Sequence, residues 1–179
     1  VGFLQEGRFE KPANLQELLA KTVYGPLTGE LREFLVHICV FDYFTLPQAQ
    51  FVWRNANATS LLKRLMAQNA FIRYDARGQV YHLHNIFAGY LRELFGGLAE
   101  EKKKMIWQAA GEWHRSVAEH LAAMRCFDQA GDFDRLLDAV EQDKGNSIGR
   151  ENKETVSRYF SECPPEIKKK HLLAVVVYV

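Results

Sequence analysis

The chain has 179 residues, enough for one large domain or two small ones, and 47% of them are hydrophobic, which supplies a core without disulfide or metal staples. Lys and Arg number 23 against 22 Asp and Glu, so no global basic field recruits nucleic acid or an anionic membrane. The three cysteines, Cys39, Cys126 and Cys163, have no CxxC or metal-ligand spacing and fit buried thiols in a reducing compartment.

Asn57-Ala-Thr59 fits the glycosylation pattern, but no secretory signal accompanies it, and the match is read as chance. The apolar run Leu172–Val179 is too short to span a bilayer. The chain starts at a valine and stops within that run without a cap, so it is expected to be an internal piece of a longer protein.

Leu15, Leu18 and Leu19 form one side of an expected helix from Pro12 to Thr22, broken at Gly25-Pro26. Thr28 caps a second helix, with Leu31, Phe34, Leu35, Ile38 and Cys39 at the helical period. Thr45-Leu-Pro-Gln48 is a capping box with proline in the first turn, and its helix turns Ala49, Val52 and Trp53 inward. A further helix from Ala58 to Gln68 buries Leu61, Leu62, Leu65 and Met66. Two strand patterns, 71–74 and 79–83, flank Asp75-Ala-Arg-Gly78, a hairpin loop in which Gly78 is available for a positive φ. Three helices followed by a hairpin predict a winged helix-turn-helix.

Beyond Gly96-Gly97, the stripe Ile106, Ala109, Ala110, Trp113, Val117, Leu121 and Met124 predicts one long helix from Ala99 to Ala123. Gly131-Asp132 reads as a C-cap followed by an N-cap, and a helix bearing Leu136, Leu137 and Val140 comes next. Residues 143–146 read as a loop. Two more helices, Ile148–Phe160 and Glu166–Tyr178, are divided by Cys163-Pro-Pro165. The fold class expected is mainly α: a winged helix-turn-helix, then tetratricopeptide-like antiparallel helical repeats, although no repeat of fixed period is found.

Val23–Leu35, Leu61–Phe71, Tyr81–Phe87 and Ala130–Phe133 resemble the ATP-dependent bacterial transcription regulators of the maltose-activator type, a nucleotide-switch class ending in a LuxR-type DNA-binding module. The resemblance is good over about residues 3–142. It implies three parts: residues 1–24 as the end of an upstream ATPase module, 25–97 as the winged helix, and 98–179 as the start of a helical sensor superhelix. In the related switch proteins of apoptosis and plant immunity, the winged helix ends in Met-His-Asp, whose histidine contacts the β-phosphate of ADP. Leu83-His84-Asn85 stands at that place, with only the histidine kept. The resemblance therefore implies His84 as a nucleotide phosphate contact, and Asn85 is expected to cap the following helix. A helix N-terminus is a ready anion site, to which an imidazole adds a directional donor. Without the resemblance, a lone histidine at a strand end is simply a satisfied side chain.

What the resemblance implies for partners is the upstream nucleotide-binding domain with ATP or ADP, the downstream sensor repeats with a small-molecule or protein effector, and DNA only through a terminal module absent from this chain. It also implies a cytoplasmic location without a membrane. The alternative is direct DNA binding by the winged helix, for which Lys63, Arg64, Arg73 and Arg77 are a sparse set beside Asp75. His82-x-His84 suggests a metal pair, but a third ligand would have to come from Asp75, His37 or Cys39, and no metal site is assigned. No phosphate-binding loop, nucleophile elbow or HExxH helix occurs, so no catalysis is expected. Lys102-Lys-Lys104 beside Glu100-Glu101 is a solvated helix face. Trp107, Trp113, Tyr159 and Phe160 are either core or the lining of an effector-binding concave face.

Overall fold

A computed structural model describes residues 13–68, 71–146 and 152–178. The expected start of the first helix at Pro12 lies outside these residues. Helix α1 (Ala13–Leu19) passes directly into a π turn, Ala20–Tyr24. The Gly25 N–H donates five residues back to the Ala20 carbonyl at 2.8 Å, and a Cβ on Gly25 would meet that oxygen at 2.8 Å. Glycine is what lets this wide turn close.

Helix α2 (Gly29–Ile38) starts where the Thr28 hydroxyl accepts from the Leu31 amide at 3.4 Å, and Leu31, Phe34, Leu35 and Ile38 are fully buried. Helix α3 (Leu46–Trp53) has both halves of its capping box: the Gln48 amide donates to Thr45 Oγ1 at 3.2 Å and the Thr45 amide to Gln48 Oε1 at 3.3 Å. Ala49 and Val52 are buried, and Trp53 is half-buried. Helix α4 (Ala58–Ala67) buries Leu61, Leu62 and Leu65. Met66, expected inside, is 39% exposed because the preceding leucines already fill the face that meets the core.

The sheet contains a strand missing from the sequence reading. Strand β1 (Tyr43–Phe44) pairs with β3 (Val80–Leu83), which also pairs with β2 (Ile72–Asp75), giving the antiparallel order β1-β3-β2. In the hairpin, the left-handed residue is Gln79, at φ 53°, rather than Gly78. Asp75 Oδ1 accepts from the Arg77 amide at 2.9 Å, and this side-chain turn sets the loop so that the positive φ falls one residue later.

Helix α5 (Asn85–Gly96) and helix α6 (Glu100–Ser116) follow. The single helix expected over 99–123 is two: α6 ends at Ser116, and α7 (His120–Gln129) begins after a turn in which Ala118 takes φ 60°. The apolar stripe crosses the break because both helices face interior packing. Val117, counted in the stripe, is 44% exposed in the turn itself. Gly131, at φ 62°, closes α7 with the Asp132 amide on the Phe127 carbonyl (2.9 Å) and its own amide on Asp128 (2.9 Å), a Schellman motif. Asp132 then caps α8 (Phe133–Asp143) through the Arg135 amide at 3.2 Å. Asp143, expected in a loop, is the last residue of α8 and is 1% exposed.

The later helices are α9 (Lys153–Glu162), α10 (Pro165–Lys170) and α11 (Leu172–Tyr178). Ile148, the expected start of the first of these, lies outside the described residues. The helix expected over 166–178 breaks at His171, whose φ of −108° and ψ of 60° leave the helical region.

Two hydrophobic clusters result. The first joins α2 to α5 and the sheet, and extends into Ile106, Ala109 and Ala110 of α6. The second gathers Met124, Phe127, Leu136, Val140, Val156, Tyr159 and Ala174. No described helix is long and apolar enough to cross a membrane.

Candidate functional site: the cleft at the start of α5

Strand β3 ends on Leu83, 4% exposed, and the next residue turns the chain into α5. His84 is the N-cap, with extended φ −61° and ψ 132°. Its amide donates to the Phe71 carbonyl at 2.7 Å, and its carbonyl accepts from Ala88 at 2.8 Å. The ladder thus runs to the last residue before the helix, which leaves no spacer. Asn85, expected as the cap, is instead the first helical residue, because its predecessor already holds the extended cap geometry. The backbone is fixed on both sides, while the imidazole is exposed and sits edge-on to the Phe71 ring at 5.7 Å. It makes no capping hydrogen bond, so the first-turn N–H groups of α5 are left to an external acceptor or solvent.

Cross-strand register assembles the rest. His82 lies opposite Arg73 on β2 and Tyr43 on β1, and paired residues share a face. Asp42, Arg73, His82, His84 and Asn85 line a cleft of about 500 Å³. Asp42 is held by Arg92 of α5 at 2.7 Å, and Arg92 Nε also donates to the Cys39 carbonyl at 3.0 Å, tying α5 to the end of α2. One guanidinium, two imidazoles and a helix N-terminus line this cleft with the Asp42 carboxylate, whose charge Arg92 offsets, and the cationic set is suited to an anion with several oxygens. Arg73 was not anticipated as part of this site, since only strand register brings it beside His82.

The metal pair suggested by His82-x-His84, to which no site was assigned, gains no third ligand among the described residues. Among the described residues, neither histidine belongs to a group of three ligand atoms close enough to hold an ion. His37 is turned to the Glu33 carbonyl (2.8 Å) and packs edge-on to Trp53. Burial pushes the Cys39 thiol up to about 12, and Asp75 pairs with Val80 at the far end of the hairpin.

For direct DNA contact, α4 offers exposed Lys63 and Arg64, but Arg64 stands 3.9 Å from Glu30 and 3.4 Å from Thr28 Oγ1. Of the four aromatics left open by the sequence, Tyr159 and Phe160 are core. Trp107 and Trp113 are half-buried and line a second cleft, of about 530 Å³, with Phe41, His114, Arg125 and Gln129.

Residues 19–104, from the end of α1 into α6, match the family model of the MalT winged helix domain. The chain resembles the MalT-like transcription regulators. It is 24% identical over 133 residues to the HTH-type transcriptional regulator MalT of Vibrio campbellii (strain ATCC BAA-1116), covering 73% of this chain. It spans only 14% of that relative's length. The β1 strand and the His84 joint both fall inside the segment matched to the MalT winged helix.

Proposed function

We propose that this chain is the winged helix and first sensor helices of a cytoplasmic, signal-responsive transcription regulator, and that His84 reads the phosphate state of a nucleotide held by a preceding ATPase module. The observation that carries the reading is the cleft at the start of α5, where an exposed imidazole on a fixed backbone joins Arg73, His82 and an uncapped helix end. A contact that depends on phosphate position biases one nucleotide state over another. Alone, the chain has no catalysis. ATP or ADP belongs to the preceding module, the effector to the sensor helices, and DNA recognition to a LuxR-type terminal module. Helices α5 and α6 carry the state onward, since α5 starts at the cleft and α6 packs on α3 while feeding the first core.

His84→Ala in the full-length regulator is expected to weaken ADP retention and raise inducer-independent activity. Unchanged retention and unchanged inducer dependence sink the proposal. In the isolated chain, titration with inorganic pyrophosphate should shift the imidazole resonances of His84 and His82 before those of His37.

The exposed pair on α4 favours a second reading, a winged helix that touches DNA directly. Retention of mixed duplexes by this chain at low salt, fading as salt rises, would support it.

A further inference from the structure

Helices α8, α10 and α11 enclose a group of side chains that the cleft at α5 does not use. His171, at the break between α10 and α11, is only 7% exposed. Its imidazole faces three carboxylates, all carried by α8. Nε2 lies 3.3 Å from Asp134 Oδ1, while Nδ1 lies 3.6 Å from both Asp138 Oδ1 and Glu141 Oε1. The first distance is within reach of a hydrogen bond, and the other two are not.

This asymmetry is informative. If Nε2–H donates to Asp134, the Nδ1 lone pair of a neutral ring points at two carboxylate oxygens. Two carboxylate oxygens against a buried lone pair call for a cation between them. Neighbouring cations do not fill that position: Lys170 Nζ is 3.8 Å from Asp134, and Arg115 Nη1 is 3.9 Å from Asp138 Oδ2, the outer oxygen. Glu141 Oε1 is further oriented by the Ala174 amide at 3.3 Å.

We propose that His171, Asp138 and Glu141 bind a divalent transition-metal ion of the zinc type. Their ligand atoms all lie within 4.8 Å of one another. An ion bonded tetrahedrally at about 2.1 Å to each holds its ligands about 3.4 Å apart, so the widest pair has to draw in by up to about 1.4 Å. Asp138 and Glu141 sit at i and i+3 and share one face of α8. Asp134 fills the role of the outer carboxylate that fixes the tautomer and orientation of a metal-bound imidazole. Mixed imidazole and carboxylate donors suit zinc and its neighbours over magnesium or calcium, which take oxygen ligands. The remaining coordination position is open to water. Bound metal fastens the α10–α11 junction onto α8, joining Glu141 to a histidine 30 positions further along the chain. Asp138-x-x-Glu141 is the trace of this site in the sequence. It is unremarkable there, because its histidine arrives only through tertiary packing.

The same geometry is satisfied by a proton on Nδ1, and the test separates the two. The chain, stripped with chelator, is titrated with Zn²⁺ at pH 7.5 by calorimetry and with Co²⁺ by absorption. One equivalent is expected to bind and to raise the thermal midpoint, with Co²⁺ showing d–d bands and no thiolate charge-transfer band. His171→Gln and Glu141→Gln should each weaken binding at least tenfold, and Asp134→Asn by about 10- to 100-fold. His84→Ala should leave uptake unchanged. Should His171→Gln fail to fold, Glu141→Gln and Asp134→Asn carry the test, since both carboxylates are partly exposed. Lack of saturable Zn²⁺ uptake, a thiolate band, or affinity indifferent to Glu141→Gln and Asp134→Asn would overturn the proposal.

Discussion

Gly111→Ala is the sharpest test of how the helices pack. Gly111 is buried near the middle of α6, and a Cβ added there would stand 2.5, 2.7 and 2.8 Å from Cε1, Cδ1 and Cζ of Phe127. Relaxed carbon contacts lie at about 3.5–4.0 Å, so α6 and α7 have to separate by about 1 Å or the ring has to turn. The ring is fully buried in the second core and has little room to do so. Overpacking of this kind costs up to about 3 kcal/mol. Replacing a helical glycine by alanine returns about 1 kcal/mol of propensity. The net expectation is a loss of about 2 kcal/mol, which for a chain of this size lowers Tm by about 4–8 °C. Urea titration and thermal melting followed by circular dichroism measure it directly. A second variant, Phe127→Leu, relieves the clash, so the double mutant should be more stable than the sum of the single effects, by about 0.5–3 kcal/mol. A higher Tm for Gly111→Ala, or effects that add within about 0.5 kcal/mol, would refute the close-approach argument.

Further outcomes follow from local chemistry. Thr45→Ala removes the hydroxyl from the α3 capping box and should cost about 1 kcal/mol, read from the urea midpoint at unchanged slope. Burial pushes the thiols of Cys39 and Cys126 up to about 12, and that of Cys163 upward as well, so none is expected to react with a disulfide reagent at pH 8 until the chain unfolds. Rapid stoichiometric labelling of the native protein would contradict this. His37 is held below its ordinary 6.5, chiefly by burial, so the unfolded chain binds the extra proton more readily. Its contribution to stability is complete above pH 6.5 and is lost as pH falls below that. The difference in stability between the native chain and His37→Gln should therefore shrink across that range.

Local signals carried far along this chain. The capping box at Thr45, the caps at Thr28 and Asp132 and the C-cap glycine Gly131 are each set by residues within five positions, and each is legible in the sequence. Strand β1 was not, since two residues are too few to show alternation and its existence depends on the partner Tyr81-His82. The break between α6 and α7 escaped because its left-handed residue is Ala118, not a glycine, and the apolar spacing continues across it. His171 likewise interrupts a helix without proline or glycine. At the cleft, the joint and its histidine were legible because β3 and α5 are consecutive. Arg73 and Asp42 were not, because they reach the cleft through strand register and a salt bridge about 50 residues apart in sequence.

The placement of Cys126 has a practical consequence for anyone cutting this protein into parts. It lies on α7 but packs with the first core, beside Ile106, Ala109 and Ala110 of α6. The segment resembling the MalT winged helix stops at residue 104, one turn into α6, ahead of all four. A fragment trimmed to that similarity would lose part of its hydrophobic floor and present a sticky face. A cut placed after Gly131 keeps the floor and exposes Met124 and Phe127 instead. The segment matched to the family and the segment that keeps the first core whole are bounded at different places.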